Sequence, residues 1–507
     1  MVTASQAQAS PLPTGITAEL LSQTLTALLV AIFLSLPIFL FSATGGTLFL
    51  VTSAIALIAI SIKYTRVQIG VYFFLLIFQS TVIAITINGY SDRSELSTAQ
   101  GLQFLTLSIF GFHSWIHINN MKQIDIVTLS KLLTLFFLLC SVYLLYGLIE
   151  NGAQNAIIYF RSSISSSLLI CFGLYVGTRL SESDVKAMFT VCMIAAIIFT
   201  IIEMIATKEL YEFINAFEFF SVKYEGRYNF YSLESVIEFS KRPLLNLPIF
   251  RDLGLTTFRV SGPNMHSISL AYLSMFGLLL FFSQKNYILA TLCAAILIAI
   301  QAKGPIIILL ISFSFYYARS IFSKRIWKVL LALTLASYAT FGIWYGMQTR
   351  DFHVLGLIGG LEGFLSNPIG HGLGAGGNLS RIEFDWQDFQ NAGAAAFGVE
   401  SAVGVLLYQV GIATFALVGF YIWFANYTLN FFWKRHSRLG LLLSLAFATT
   451  VVNGIFQEEA YNPFALGQIG LMLAVIVGST LRFEGQSDKA PVEAPRPRSS
   501  DTLKTLA

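Results

Sequence analysis

The stretch from Thr128 to Ile149, TLSKLLTLFFLLCSVYLLYGLI, is strongly apolar, and Lys131 is its only charged residue. A helix of about twenty apolar residues crosses a hydrocarbon core roughly 30 Å thick. Lipid offers no hydrogen-bond partner to an irregular backbone, so such a run is helical. Similar runs recur along the chain. They predict about 14 transmembrane helices, near residues 21–42, 46–62, 67–88, 101–118, 128–149, 163–180, 187–206, 264–283, 286–302, 305–322, 327–347, 400–424, 439–456 and 464–481.

The composition excludes several classes of protein. Of the 507 residues, 55% are hydrophobic and 11% are Asp, Glu, Lys or Arg, whereas about a quarter of a soluble chain is charged. A soluble enzyme, a nucleic-acid-binding protein, a secreted disulfide-bonded protein and a single-span receptor are therefore excluded. All four cysteines lie inside apolar runs and predict no redox role. We predict an all-α, polytopic membrane helical bundle.

Positive charge predicts which side of the membrane each loop occupies. Lys and Arg are retained in short cytoplasmic loops. If the amino terminus is cytoplasmic, fourteen Lys and Arg residues lie in or near the short loops on its side. The short loops on the opposite side hold only three, namely Arg93, Arg161 and Lys303. This bias predicts an even number of spans, with both termini in the cytoplasm.

The chain divides into a transmembrane domain, residues 21–481, and two cytoplasmic tails, residues 1–20 and 482–507. The second tail has prolines, mixed charges and no apolar periodicity, so we expect it to be disordered. Two gaps interrupt the rhythm of short loops, at 207–262 and 348–399. The charge bias assigns both to the extracytoplasmic side, and long connections of this kind usually carry function.

Aromatic residues crowd the first long loop. They are Tyr211, Phe213, Phe217, Phe219, Phe220, Tyr224, Tyr228, Phe230 and Tyr231. Aromatic rings at the end of a span usually anchor it at the level of the lipid headgroups. A surface for sugar rings or for an isoprenoid tail is the other interpretation, and the two are compatible.

The same loop then becomes basic. Its cations are Lys241, Arg242, Arg251 and Arg259. The positive-inside rule disfavours them here, so they need partners. One explanation is a salt bridge to Glu234, Glu238 or Asp252, or snorkelling into headgroups. The other is a phosphate group, whose oxygens match the two parallel donors of a guanidinium.

Glycine dominates the second long loop, where Gly372, Gly374 and Gly377 form a G-x-G-x-x-G pattern. A dinucleotide site is excluded, because no strand precedes the pattern and no βαβ unit can surround it. Glycines also permit positive φ and close backbone approach. We expect this segment to fold tightly against the membrane and to present N–H groups.

Histidines and one carboxylate complete the set of candidate residues. His113 and His117 have a chelating i, i+4 spacing but no third ligand, so the sequence predicts no metal site. Three other histidines near the outer face are candidate polar site residues: His266, His353 and His371. Glu400 begins an apolar run at the outer water boundary. A carboxylate there either complements a helix dipole or takes part in chemistry.

Local motifs resemble the O-antigen polymerase and O-antigen ligase superfamily of bacterial envelope enzymes. The segment Phe258-Arg259-Val260-Ser261-Gly262-Pro263-Asn264 is similar to the family's arginine–glycine stretch before a span. Lys303-Gly304 stands where members commonly have Ser-Arg-Gly. Arg350, followed by Asn367-Pro368-Ile369-Gly370-His371-Gly372, resembles the family's arginine and its Asn/His-Pro-Leu-x-Gly-x-Gly motif.

A fourth motif resembles the ligase pattern of His, then Asn, Ser or Gln, nine residues, Gly, two residues, and Gly, Thr or Tyr. Ser401, Gly411 and Thr414 match this pattern, and Glu400 stands in place of the histidine. The departure keeps a proton acceptor at that position, which suits a polymerase at least as well as a ligase. The resemblance spans roughly residues 255–425.

The resemblance implies a GT-C-like integral-membrane glycosyltransferase in the bacterial inner (cytoplasmic) membrane. The implied function is that of a polysaccharide polymerase, which joins oligosaccharide repeat units linked to undecaprenyl diphosphate on the periplasmic face. The expected reaction is inverting and metal-independent, and it uses no cofactor. The expected partners are the lipid-linked glycan donor and acceptor, membrane lipid and a chain-length regulator protein, but no nucleic acid.

The resemblance also implies a set of site residues. Breaking the sugar–diphosphate bond releases an anion, so positioned cations provide the main electrostatic stabilisation. Arg259 and Arg350 are the expected diphosphate-binding residues, with Lys303, Arg242 and Arg251 in reserve. Glu400 is the expected general base for the acceptor hydroxyl, and His371 is its substitute.

Two other functions remain open. An O-antigen ligase would transfer a lipid-linked glycan to lipid A-core or to protein, and the sequence does not identify the acceptor. A lipid-linked oligosaccharide flippase or transporter also fits the number of spans. Against a flippase, such carriers place polar groups at mid-membrane on broken helices, whereas these spans are nearly free of charge.

Overall fold

The computed structural model describes residues 17–90, 93–121, 124–225, 228–243, 250, 252–379 and 400–487. Within these ranges it contains 18 α-helices and one two-stranded sheet. Eight segments are long and apolar enough to cross a membrane, and five further apolar helices are shorter. The prediction of a helical membrane bundle is therefore confirmed, while the number of spans stays a prediction.

The first six helices are long and joined by short connections. They are α1 (Ala18–Ile62), α2 (Thr65–Ile85), α3 (Arg93–Asn119), α4 (Ile124–Glu150), α5 (Ala153–Arg179) and α6 (Glu182–Ile205). Helix α1 covers two predicted spans, 21–42 and 46–62. A straight helix of this length would extend about 68 Å, yet Arg66 Nη1 lies 2.5 Å from Gln23 Oε1. The chain therefore reverses direction within α1, as two antiparallel spans require.

The first long loop, predicted at 207–262, is folded. It contains α7 (Thr207–Phe213), α8 (Ala216–Lys223), α9 (Leu233–Phe239), β1 (Lys241–Pro243) and β2 (Thr256–Phe258). The two strands are antiparallel, and Arg242 is opposite Thr257. The backbone N–H of Arg259 donates to Ser240 O at 3.1 Å, so the hairpin determines where Arg259 enters the next segment.

The carboxyl-terminal half contains nine more helices within the described residues. They are α10 (Ser267–Ser283), α11 (Tyr287–Ile300), α12 (Lys303–Ala318), α13 (Lys324–Thr349), α14 (Phe352–Ser366), α15 (Ala402–Val410), α16 (Ala413–Arg435), α17 (Arg438–Asn453) and α18 (Gln468–Ser487). A 3₁₀ turn, Glu458–Tyr461, and a π-turn, Pro463–Gly467, precede α18.

Two elements differ from the predicted spans. Helix α14 lies in the segment predicted as a loop, 348–399. The predicted span 400–424 is split between α15 and α16 at Gly411, which has a φ of 52°. A Cβ at Gly411 would lie 2.2 Å from Pro368 O, and Ile412 N donates to that same oxygen at 2.8 Å. A contact distant in sequence therefore breaks the apolar run.

Helices α5 and α18 pack closely at the centre of the bundle. A Cβ at Gly173 would lie 2.3 Å from Leu471 O, and one at Gly177 would lie 2.3 Å from Val475 O. Small residues allow membrane helices to approach in this way. At the middle of α5, Ser166 Oγ donates to Tyr461 O at 2.6 Å. The contact therefore brings the middle of α5 alongside the 3₁₀ turn.

The predicted tails lie mostly outside the described residues, which exclude 1–16 and 488–507. Helix α1 begins at Ala18 and α18 continues to Ser487. Residues 18–20 and 482–487 are therefore helical, although they were predicted to belong to the polar tails. The four cysteines are buried and reduced, as their apolar surroundings predict.

Candidate functional site

A cavity of about 320 Å³, lined by charged, amide and apolar side chains, lies at the end of the bundle that carries the two long loops. Its wall combines α2, α3 and α5 with Lys223 of the first long loop, Asn378 of the second and the turn at Glu458. We call it the loop-end cavity. Its volume falls in the range of small-molecule sites, roughly 300–1,000 Å³.

Two cations line the loop-end cavity, Arg161 on α5 and Lys223 at the end of α8. Lys223 Nζ donates to Met265 O at 3.1 Å and lies 5.4 Å from the centre of the Phe219 ring. Burial among these groups lowers the pKa of Lys223 to about 8. The amine is therefore charged at neutral pH but loses its proton under mildly alkaline conditions.

Arg259 lies beside this cavity, just after β2. Burial, followed by repulsion from Arg242, lowers the pKa of Arg259 to about 10, and attraction to Glu459 partly opposes the shift. Arg259 stays charged at neutral pH. Its Nε is buried and has no hydrogen-bond partner among the described residues. A buried donor of this kind is costly unless a ligand or water satisfies it.

His266 lines the cavity between these two cations. Its Nδ1 accepts from the backbone N–H of Ser269 at 3.3 Å. A neutral ring that accepts at Nδ1 carries its proton on Nε2, and His266 is therefore an uncharged donor to anything bound in the cavity.

Two carboxylates, Glu458 and Glu459, also line the loop-end cavity. Both oxygens of Glu458 are occupied, because Tyr159 OH donates to Oε1 at 3.1 Å and Asn378 N donates to Oε2 at 3.2 Å. In contrast, Oε2 of Glu459 is buried without a hydrogen-bond partner among the described residues. Glu459 interacts electrostatically with Arg259 and with Glu400. Of the two carboxylates, Glu459 is therefore the one with an oxygen that can accept a hydrogen bond or a proton from a ligand.

Glu203, fully buried near the end of α6, holds the segment that carries Arg259 and His266. Its carboxylate accepts from the backbone N–H groups of Ser261 at 2.8 Å and Gly262 at 2.7 Å, and from Tyr211 OH at 2.9 Å. Two successive backbone N–H groups form a small anion-binding nest. Here the protein fills that nest with its own carboxylate, which fixes the turn.

Amide side chains form another part of the wall. Gln79 Nε2 donates to Ala99 O at 2.8 Å, but Gln79 Oε1 is buried without a partner. Gln103 Nε2 and both amide atoms of Asn264 are also buried without hydrogen bonds within the described structure. All three residues line the loop-end cavity. We call them the amide wall.

The structure separates the cations that the sequence grouped as diphosphate-binding residues. Arg259 lies beside the cavity without lining it, and Arg242 is its neighbour, with Nη1 donating to Phe239 O at 2.6 Å and Lys241 O at 2.9 Å. Arg350 is exposed and ends α13 in a left-handed conformation. Lys303 is exposed at the start of α12. Neither lines the cavity, and Arg251 lies outside the described residues.

The two predicted proton-transfer residues lie outside the cavity wall. Glu400 has a φ of 69° and a side chain 37% exposed, and its Oε2 is 3.6 Å from His353 Nδ1. Ser401, rather than Glu400, caps α15. The His371 ring stacks on Tyr408 at 4.3 Å, and its Nδ1 is 3.0 Å from Tyr408 O. Packing and hydrogen bonding therefore account for the position of His371.

The glycine-rich segment has the predicted positive φ, with 84° at Gly372 and 89° at Gly374, but it packs against α4 and α5. A Cβ at Gly372 would lie 3.0 Å from Gly147 Cα, and one at Gly374 would lie 2.6 Å from the carbonyl carbon of Asn155. Its N–H groups are used within the protein, since Gly372 N donates to Gln409 O at 2.9 Å. The segment therefore closes the bundle and places Asn378 against Glu458.

The salt-bridge explanation for the basic residues of the first loop applies to Lys241, while the phosphate explanation stays a prediction. Lys241 forms a salt bridge with Glu238 at 2.6 Å, and Glu238 is one of the partners that the sequence predicts for the basic residues of this loop. Arg161, Lys223 and Arg259 are in none of the ion pairs found among the described residues. Three buried or half-buried cations therefore remain available to an anionic ligand.

Sequence reasoning did not select Arg161, Lys223, Glu459 or the amide wall as site residues. A signal was present for two of them, since an ionisable residue within or next to an apolar run indicates function. From the sequence alone, Arg161 is one of the loop cations, and nothing distinguishes Glu459 from the adjacent Glu458. Only the fold shows that Glu459 keeps a free oxygen while Glu458 does not.

The fold and this site define a multi-pass helical membrane protein that has, at one end, a cavity lined in part by charged and amide side chains. No protein-family model matches the chain, and no curated protein matches it. The local motifs and the chemistry of the loop-end cavity are therefore the basis for a functional proposal.

Proposed function

We propose that this protein is a polysaccharide polymerase that joins oligosaccharide repeat units carried on undecaprenyl diphosphate, at the periplasmic face of the bacterial inner membrane. The observation that carries the proposal is the loop-end cavity, which Arg161, Lys223 and Glu459 line and beside which Arg259 lies. Among the described residues none of these three cations forms an ion pair, and Oε2 of Glu459 has no hydrogen-bond partner. The local motif resemblance around Arg259 and Glu400 supports the same chemistry.

The cations suit a diphosphate leaving group. Cleavage of the bond between the anomeric carbon and the diphosphate oxygen leaves both bonding electrons on that oxygen. Preorganised cations in a partly desolvated site stabilise such charge strongly. Arg161 and Arg259 provide planar guanidinium donors, and Lys223 adds a compact point charge. His266 adds a neutral N–H donor, which completes the set without requiring a metal ion.

Glu459 is the proposed general base. The acceptor sugar hydroxyl attacks the anomeric carbon and transfers its proton to a carboxylate oxygen, so the new carbon–oxygen bond forms as the old one breaks. Attack opposite the leaving group inverts the anomeric centre. Glu459 replaces Glu400 as first candidate because Glu459 lines the cavity and its Oε2 has no partner among the described residues. Glu400 interacts with it electrostatically.

Polysaccharide chain length in a deletion strain tests the proposal. We expect Arg259→Gln, Arg161→Gln and Glu459→Gln to abolish long chains while the protein still accumulates in the membrane. Arg350→Gln is the matched control, since it removes an exposed arginine outside the cavity. Normal chain length in all three cavity variants would refute the site. So would an Arg350→Gln defect equal to that of Arg259→Gln.

Purified protein separates a polymerase from a ligase. Incubated with lipid-linked repeat units alone, a polymerase elongates them, whereas a ligase needs a separate acceptor. The deletion strain separates both from a flippase. Unpolymerised units should accumulate on the periplasmic side, while accumulation on the cytoplasmic side would favour the flippase.

A further inference from the structure

The amide wall differs from the rest of the loop-end cavity because it carries no charge. Gln79 on α2 and Gln103 on α3 face the cavity together with Phe104, and Asn264 closes this side just before α10. The cations and carboxylates of the cavity come from other elements, namely α5, α8 and the turn before α18. The cavity therefore has a charged part and a neutral part.

The atoms of the amide wall are poorly satisfied by the protein itself. Asn264 is 4% exposed and Gln79 is 5% exposed. Even so, both amide atoms of Asn264, Oε1 of Gln79 and Nε2 of Gln103 have no hydrogen-bond partner within the described structure. Native proteins rarely leave buried polar atoms unpaired, and clusters of them call for a ligand or ordered water.

The hydrogen-bond donors and acceptors of the amide wall indicate which class of ligand fits it. Two amide oxygens and two amide nitrogens supply acceptors and donors together, which matches groups that do both, such as sugar hydroxyls and acetamido groups. Phe104 adds apolar surface for the C–H face of a ring. A carboxylate placed against this wall would be desolvated without a counter-ion, at high cost. The wall therefore fits an uncharged sugar ring and disfavours an acidic one.

We infer that the amide wall is the subsite for the sugar attached directly to the carrier diphosphate, and that this sugar is uncharged. With its ring against Gln79, Gln103 and Asn264, its diphosphate would lie at Arg161 and Lys223 across the same cavity. This inference rests on the proposed function, because it takes the diphosphate carrier as the ligand of the charged part.

Equilibrium binding to the full-length protein in nanodiscs tests the subsite with three probes. They are undecaprenyl diphosphate, the same carrier bearing N-acetylglucosamine, and the carrier bearing glucuronic acid. We expect the N-acetylglucosamine probe to bind about tenfold more tightly than the bare carrier, as one or two additional neutral hydrogen bonds would produce. The glucuronic acid probe should bind no more tightly than the bare carrier.

Two variants test whether the amide wall causes the tighter binding of the N-acetylglucosamine probe. Gln103→Met and Asn264→Leu remove amide groups at similar volume, and each should reduce the preference for the sugar-bearing probe by threefold to tenfold. Their affinity for the bare carrier should fall by less than their affinity for the sugar-bearing probe, and thermal melting in detergent checks that both variants are folded. Arg161→Gln should weaken all three probes. Gln284→Met, at the opposite end of α10, is the matched control and should change nothing.

The outcomes distinguish the two proposals. Equal binding of the bare and N-acetylglucosamine probes by the unmodified protein would overturn the subsite and leave the proposed function standing. An unchanged preference in both amide variants, or a preference for glucuronic acid, would also overturn it. Failure of the bare carrier to bind at all would overturn the proposed function and the subsite with it.

Discussion

At the scale of single residues, Lys223 makes ligand binding depend on pH. Its pKa, lowered to about 8 by burial, means that the amine is protonated below pH 8 and neutral above it. An anionic ligand binds the protonated form. Arg161, His266, Glu458 and Glu459 share the cavity with Lys223, so a pH profile of the unmodified protein alone would not identify the lysine.

A comparison of the unmodified protein with Lys223→Arg isolates this effect. Affinity for undecaprenyl diphosphate should fall about tenfold in the unmodified protein as the pH rises from 7 to 9, because the amine is mostly neutral at the upper value. Lys223→Arg keeps its charge over this range, so its affinity should fall by much less. Parallel profiles for the two proteins would contradict the role of Lys223.

Glu203 is a second residue whose substitution has a defined outcome. Glu203→Gln places an amide N–H₂ opposite one of the backbone N–H groups of Ser261 and Gly262, which both donate to the carboxylate now. Hydrogen bonds to a charged group contribute about 1.5–3 kcal/mol each. We therefore expect a loss of about 2–3 kcal/mol in the free energy of unfolding, measured by thermal melting in detergent.

The control for Glu203 is Tyr211→Phe, which removes one of the three donors and keeps the carboxylate in its nest. It should be destabilised less than Glu203→Gln. If Glu203→Gln melted like the unmodified protein and kept its affinity for undecaprenyl diphosphate, the proposed anchoring of the Arg259 segment would be wrong.

Among the secondary-structure elements, hydropathy was sufficient to predict the helices whose apolar length matches the thickness of the membrane. Helix α4 follows from the run at 128–149, and the reversal within α1 agrees with two separate spans. Hydropathy failed where a contact between distant segments determines the start or the end of a helix. The break at Gly411 depends on Pro368 O, and α14 depends on packing against α15, where a Cβ at Gly360 would lie 2.2 Å from Gly404 O. An apolar run does not encode such contacts.

The contact between α5 and α18 can be tested with a matched pair of glycines. Gly177→Ala places a methyl group 2.3 Å from Val475 O, which is backbone and cannot rotate away. Overpacking of this kind costs about 1–3 kcal/mol. Gly419→Ala, within α16, meets nothing within 4 Å and should leave the melting temperature equal or slightly higher. Equal melting of both variants would contradict the close packing of α5 and α18.

At the scale of the whole molecule, the site is assembled from segments that are far apart in sequence. The sequence located Arg259 and the importance of the outer loops, because a cation there violates the positive-inside rule. It did not locate Arg161 and Glu459 together, because their proximity results from α5 packing along the chain around the 3₁₀ turn. Single-sequence patterns report the environment of each residue but not its distant neighbours.

The orientation of the whole molecule is the last prediction, and the proposed function depends on it. All four native cysteines are buried, so single introduced cysteines can be labelled over a low background. Tyr231, 86% exposed in the first long loop, marks the end with the cavity. Ser323, exposed between α12 and α13, marks the opposite end. A membrane-impermeant maleimide should label Tyr231→Cys in intact spheroplasts and Ser323→Cys only after lysis. The reverse pattern would put the loop-end cavity in the cytoplasm, where a lipid-linked glycan displayed on the periplasmic side could not reach Arg259 or Glu459.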